Sequence, residues 1–336
     1  MALFGRKKAQ GEAAALAEHL ILDRCWDDMA LDAGVDAVRD GHRNAGIALL
    51  RECRDDHELR AQRVRALAGA SVGQSAQIKA LLTENMSPAA AADLLLWLGG
   101  TLINEAWEIR GSGWASTVGD DRFKLFYSRL REARDPLVAA ADLAPHDATP
   151  WVELQKYARG MQLDREQHDL AWQRAIERAP TSFPAHASRL QNLTSKWSGS
   201  HEQMFGFARD TVATAPPGSP LVAVLPMAHS EFLMKERQRF AEEGKTWAGA
   251  KMLTSYFTTE LKLELIEAER TWCASAEPQP YSKEAHNLFG WAMLEAGDLE
   301  RARWHLSWVG NRPGGPWDYE GAQAFAKALL RLGLTD

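Results

Sequence analysis

Three Ala-Pro pairs, Ala144-Pro145, Ala179-Pro180 and Ala215-Pro216, recur along the middle of this 336-residue chain, the prolines standing 35 and then 36 residues apart. Proline brings no amide hydrogen, and its ring crowds the preceding residue out of the helical region, so each pair marks a helix end. A fixed period in the thirties predicts stacked helix-turn-helix units, each too small to bury its own apolar face alone.

Capping signals support that period. Asp164 precedes Gln167 by three residues, and Ser200 precedes Gln203 by three, 36 residues further on. Both read as N-caps in the capping-box pattern. The first unit then has Trp151, Leu154 and Tyr157 on an opening helix and Ala171, Ala175 and Ala179 on a second; Leu190 and Leu193 take the places of Leu154 and Tyr157 in the next. Upstream, Ser87-Pro88 predicts a cap followed by proline at the first helical position, and Leu94, Leu95, Leu98, Leu102, Ala106 and Ile109 form one apolar face up to Gly111. Asp120 or Asp121 is expected to cap a helix carrying Phe123, Phe126, Leu130 and Ala133, with Pro136 kinking or restarting it.

After Pro216 the period blurs. Helices are expected over 221–240, over 246–272 without interruption, over 285–306 with a turn at Gly297, and over 319–332. The fold expected is all-α: a solenoid of antiparallel helix pairs preceded by an N-terminal helical bundle. Its predicted parts are a disordered basic tail over 1–11, helices over 12–119, and repeats with a C-terminal capping helix over 120–336.

Composition narrows the function. A net charge of −6 argues against a nucleic-acid footprint. Three cysteines without a pairing pattern, and a start in which Met1-Ala-Leu-Phe runs directly into Gly5-Arg6-Lys7-Lys8, predict a cytoplasmic protein. The longest apolar stretch, 89–103, is too short to span a bilayer. Thirteen Trp against five Tyr predicts large rings at helix crossings, with a share left for a binding groove.

The 285–306 stretch resembles a tetratricopeptide repeat, with Gly290, Ala302 and Leu306 where that family packs small and apolar residues at the crossing of paired helices; His286 stands near the position of the family's opening Trp. A larger span, about 90–235, resembles an uncharacterised, mostly bacterial domain-of-unknown-function family. The stretches that carry it are Ala106-Trp-Glu-Ile-Arg-Gly111, Thr149-Pro-Trp151, Lys196-Trp-Ser-Gly-Ser-His-Glu202, Met204-Phe205 and Phe207-Ala-Arg209. This resemblance implies a cytoplasmic helical-repeat protein and brings no activity.

The densest polar cluster runs from Lys196 to Glu202. It reads either as a helix cap with packing around Trp197, or as an anion or peptide site using Lys196, Trp197, His201 and Arg209. Ser200 beside His201 is not a catalytic pair, because neighbours on a helix diverge. Inner-helix cations Lys156, Arg159 and Arg189 join the expected partner-binding set. Trp107 is expected first to pack in the core, with stacking on Arg110, three residues on, or a place in a groove wall as the alternatives. No catalytic residue, cofactor site or metal site is expected: the ten His follow no ligand spacing, Asp27-Asp28 and Asp55-Asp56-His57 read as solvated faces, and no glycine-rich phosphate loop occurs. The expected function is a non-catalytic scaffold that binds a protein or peptide partner. The alternative is an enzyme or small-molecule binder, with a pocket between the N-terminal helices and the repeats and His201 and Glu202 as acid-base candidates. A third is a regulatory subunit whose basic tail touches a membrane.

Overall fold

A computed structural model describes residues 2–111, 119–197 and 199–335, with the side chains of 2–9, 246 and 248 outside that description. The described residues are helical throughout, without a strand, and no helix among them is long and apolar enough to cross a membrane. The glycine-rich break expected over 111–119 and Ser198 of the polar cluster fall largely or wholly outside the described residues. Helix α1 (Ala2–Ala17) runs through the stretch where a disordered tail is expected. The chain divides into two compact units, Asp28–Gly199 and a discontinuous unit of Met1–Asp27 with Ser200–Asp336.

In the 28–199 unit the helices are α2 (Met29–Arg39), α3 (Arg43–Glu52), α4 (His57–Ala70), α5 (Ser75–Lys79), α6 (Pro88–Arg110), α7 (Asp120–Arg131), α8 (Arg134–Leu143), α9 (Thr149–Met161), α10 (Arg165–Arg178) and α11 (Phe183–Asn192). Helix α6 is the axis. Ser87 caps it by accepting from the Ala90 amide at 3.3 Å, and Pro88 opens its first turn. The expected wide apolar face forms and extends further round the helix. Leu96, Trp97 and Ile103 are buried along with Leu94, Leu98, Leu102 and Ala106, while Leu95 and Ile109 are half-buried. The reason is that α3, α4, α5, α7, α8 and α9 all pack on α6. Its middle turns, 96–103, are therefore buried all round, and with the apolar side chains the helix buries Asp93, Thr101 and Glu105.

Charge is buried beside it in paired form. Arg60 of α4, 2% exposed, lies between Asp147 at 2.6 Å and Asp93 at 2.9 Å. Arg60 also donates to the Leu50 carbonyl, and Arg63 to the Leu49 carbonyl, so two guanidinium groups satisfy the open carbonyl end of α3. Asp27, Asp55 and Asp56 are exposed as expected, and Asp28 and Asp56 serve in addition as helix caps, accepting from the amides of Leu31 at 2.9 Å and Leu59 at 3.0 Å. Gly119, without a side-chain cap, precedes α7 in place of the expected aspartate, and the chain restarts as α8 two residues ahead of Pro136.

Each Ala-Pro pair ends a helix as the backbone sterics require. Ala144 and Ala179 are the C-caps of α8 and α10, and Ala215 is that of α12 (His201–Thr214) in the other unit. Val152 near the start of α9 packs on Ala175 near the end of α10, so the two run antiparallel, and Ala185 of α11 completes the cluster with Trp151 and Trp172 at its edge.

The second unit continues with a 3-10 turn (Pro220–Ala223), α13 (Val224–Glu242), α14 (Thr246–Ser255), α15 (Thr259–Cys273), α16 (Ser282–Glu295), α17 (Leu299–Val309), α18 (Pro316–Glu320) and α19 (Ala322–Leu332), on which α1 packs. The long helix expected over 246–272 is two helices. Thr258 caps α15, and Tyr256 and Phe257 between the helices turn inward to pack their rings on His229. The last expected helix is also split, at Gly321 with φ +88°. Between α16 and α17, Gly290 faces the Leu306 side chain so closely that a Cβ there would overlap it.

A candidate anion-binding pocket

Within the 28–199 unit a pocket of about 380 Å³ opens among the end of α6, α7, α9, the start of α10 and the turn after α11. Helix α7 supplies Phe123, Phe126 and Tyr127, which share one face because they stand three and four residues apart. Phe126 is buried, whereas Phe123, Tyr127 and Trp197 are half-buried. The tryptophan is fixed edge-on to Trp107, ring centres 5.9 Å apart, and Trp107 is edge-on to Phe126 at 5.1 Å.

Three cations join these rings: Arg110, Arg159 and Lys196. Arg110 closes α6, its guanidinium 5.2 Å from the Trp107 ring centre and 6.0 Å from that of Phe123. Trp107, half-buried, thus both packs on Phe126 and Trp197 and stacks under Arg110, and burial lowers the Arg110 pKa. Arg159 is held by a 2.9 Å hydrogen bond to the Asn192 side-chain oxygen. Beside it Gly160 lets α9 approach α7, since a Cβ there would run into Leu130. His168, one turn beyond the Asp164 cap, is 4% exposed with Nδ1 buried and without a partner. Burial, then Arg159 and Arg189, lower its pKa, against an opposing pull from Asp169 and Asp164. The ring is therefore neutral at pH 7. No acidic side chain is among the described residues that line the pocket.

The expected partner-binding residues separate into three groups. Arg159, Lys196 and Trp197 line the pocket together. Lys156 and Arg189 belong to the same unit but are ion-paired, Lys156 with Glu153 at 2.6 Å and Arg189 with Asp169 at 2.6 Å. His201 and Arg209 fall in the other unit. There His201 follows the Ser200 cap and lies edge-on to Phe232 at 4.9 Å, and Arg209 is bound by both oxygens of Glu264 at 2.6 and 3.3 Å. Phe123 and Tyr127 have no signal in the sequence beyond the periodicity of their helix, and His168 none beyond its place one turn after a cap.

Two other polar arrangements differ in kind. In the second unit Glu269 accepts from His305 Nε2 at 3.1 Å, and His305 Nδ1 lies 2.9 Å from His286 Nδ1. With His305 donating to the carboxylate, His286 is left to donate across the pair. Burial, with His305 and Lys283 beside it, lowers the His286 pKa to about 3, so it is no proton acceptor at neutral pH. The chain cross-links α15, α16 and α17. The wider cleft between α15 and α17 carries Glu269 and Glu300 as well as Arg270 and Arg301, and so does not select one sign of charge. Among the described residues no cluster of three or more His, Cys, Asp or Glu is arranged to hold a metal.

No family model matches the chain, no curated protein matches it in sequence, and no solved structure matches it.

Proposed function

We propose that the protein is a non-catalytic binding module of tetratricopeptide-like helix pairs, and that its 28–199 unit holds the anionic group of a ligand between Arg110, Arg159 and Lys196. One observation carries this reading: three cations line a concave site walled by aromatic rings, with no carboxylate among the described residues that line it. In such partly desolvated surroundings a charge-assisted hydrogen bond to a bound anion is stronger than in water. The antiparallel α9–α10 pair and the close α16–α17 crossing at Gly290 support the repeat-like reading, and thiols at Cys25, Cys53 and Cys273, none of them in a disulfide, suit a reducing compartment. A small organic acid and the acidic segment of a partner protein present the same group to this pocket.

Titration calorimetry with inorganic phosphate and with tetraglutamate tests the reading. The unmodified protein is expected to bind at least one of them, more weakly as salt rises, and Lys196→Glu to weaken binding at least tenfold. Absence of binding to both, or binding indifferent to Lys196→Glu, refutes it.

A further inference from the structure

A simple anion does not account for the size or the walls of this pocket. About 380 Å³ lies within the range of sites that enclose small organic ligands, and an inorganic oxyanion would leave most of it filled with water. The part of the wall that is not cationic is mainly aromatic. Phe126 is buried behind it, and the half-buried rings of Phe123, Tyr127 and Trp197 are the ones that still present surface. A ring face left wet inside a concavity is covered best by another flat apolar group, which releases that water and gains ring-on-ring contact. The rings are also held before any ligand arrives. Trp197 is set against Trp107, and Phe123 stacks with Tyr127 at 6.1 Å and 22° between planes. Arg110 lies over Phe123, so the charged and aromatic parts of the wall are contiguous.

Resting on the anion-binding reading above, we infer that the ligand is a planar aromatic acid, its carboxylate or phosphate held by Arg110, Arg159 and Lys196 and its ring laid against Trp197 and the Phe123–Tyr127 pair. A guanidinium fork donates to the oxygens of either acid group in the same bidentate manner, so the ring is the discriminating feature.

The test compares 2-naphthoate, 2-naphthyl phosphate, decahydro-2-naphthoate and inorganic phosphate by calorimetry on the full chain. At least one naphthyl acid is expected to bind ten times or more tighter than the saturated acid, and the better of the two identifies the acid group. Trp197→Leu is expected to erase most of that preference while phosphate binding persists. Tyr127→Leu serves as a second variant, both being checked by circular dichroism for retained helix. Phosphate binding that depends on Lys196 without any preference for the aromatic ring overturns the inference and leaves the anion site standing. No binding of any probe overturns both. Tetraglutamate binding tenfold tighter than either naphthyl acid also overturns the inference, in favour of an acidic protein segment.

Discussion

Single residues set how closely these helices approach. Gly290 is the clearest case, because the Leu306 side chain occupies the space that a Cβ would need. Ala302 and Leu306 are fully buried at the same crossing. Gly290→Ala is expected to destabilise the protein by about 1–3 kcal/mol as Leu306 is pushed off its rotamer, a loss that urea denaturation would register as a lower midpoint. His229 gives a residue-scale prediction of a different kind. It is fully buried, its Nδ1 lies 2.7 Å from the Tyr256 hydroxyl, and burial lowers its pKa to about 4, with Arg209 lowering and Glu264 raising it. The unfolded chain titrates this group near 6.5, so between pH 6.5 and 4 the unfolded state binds the extra proton. The stability it contributes is therefore complete above pH 6.5 and falls as the pH drops, by about 3 kcal/mol at pH 4. His229→Phe is expected to flatten that fall in urea midpoints measured from pH 7 to 4.5. An unchanged slope would assign the acid sensitivity to other groups, His286 first.

At the scale of elements, what the sequence displays is what local backbone physics decides. Ala144, Ala179 and Ala215 end helices because proline follows, and Asp164 and Ser200 begin them by accepting amides at 3.0 and 3.2 Å. These constraints act within a few residues, so they are legible without a fold. The break between α14 and α15 is not, because Tyr256-Phe257 contains neither glycine nor proline and turns inward for ring partners on α13. The burial of the middle turns of α6 on all sides is equally invisible, since it depends on which six helices pack on it. The pocket falls between these cases. Lys196, Trp197 and Arg159 stand out as polar or aromatic residues beside turns, and Arg110 as the partner of Trp107. Phe123 and Tyr127 join them only because α7 packs on α6 and α9. Lys156 and Arg189 look the same as Arg159 in the sequence, and only the structure shows that they pair with carboxylates one turn away or on the preceding helix and do not line the pocket.

At the scale of the whole molecule, one unit is contiguous in sequence and the other is not. The 28–199 unit contains its own axis, α6, and its own buried ion network of Arg60, Asp93 and Asp147. Expressed alone, residues 28–199 are expected to unfold cooperatively and to bind the same anions as the full chain. A fragment that gives no cooperative transition, or that folds without binding, would refute this independence. The other unit has no such freedom, because α1 packs on α19. Translation therefore releases its first helix long before the partner that covers it. At roughly 5–20 residues per second that interval is on the order of tens of seconds, during which the intervening unit has time to fold and α1 lacks its last neighbour. A chaperone that meets this nascent chain finds α1 without its α19 partner, and a ribosome stalled between the two helices leaves it so.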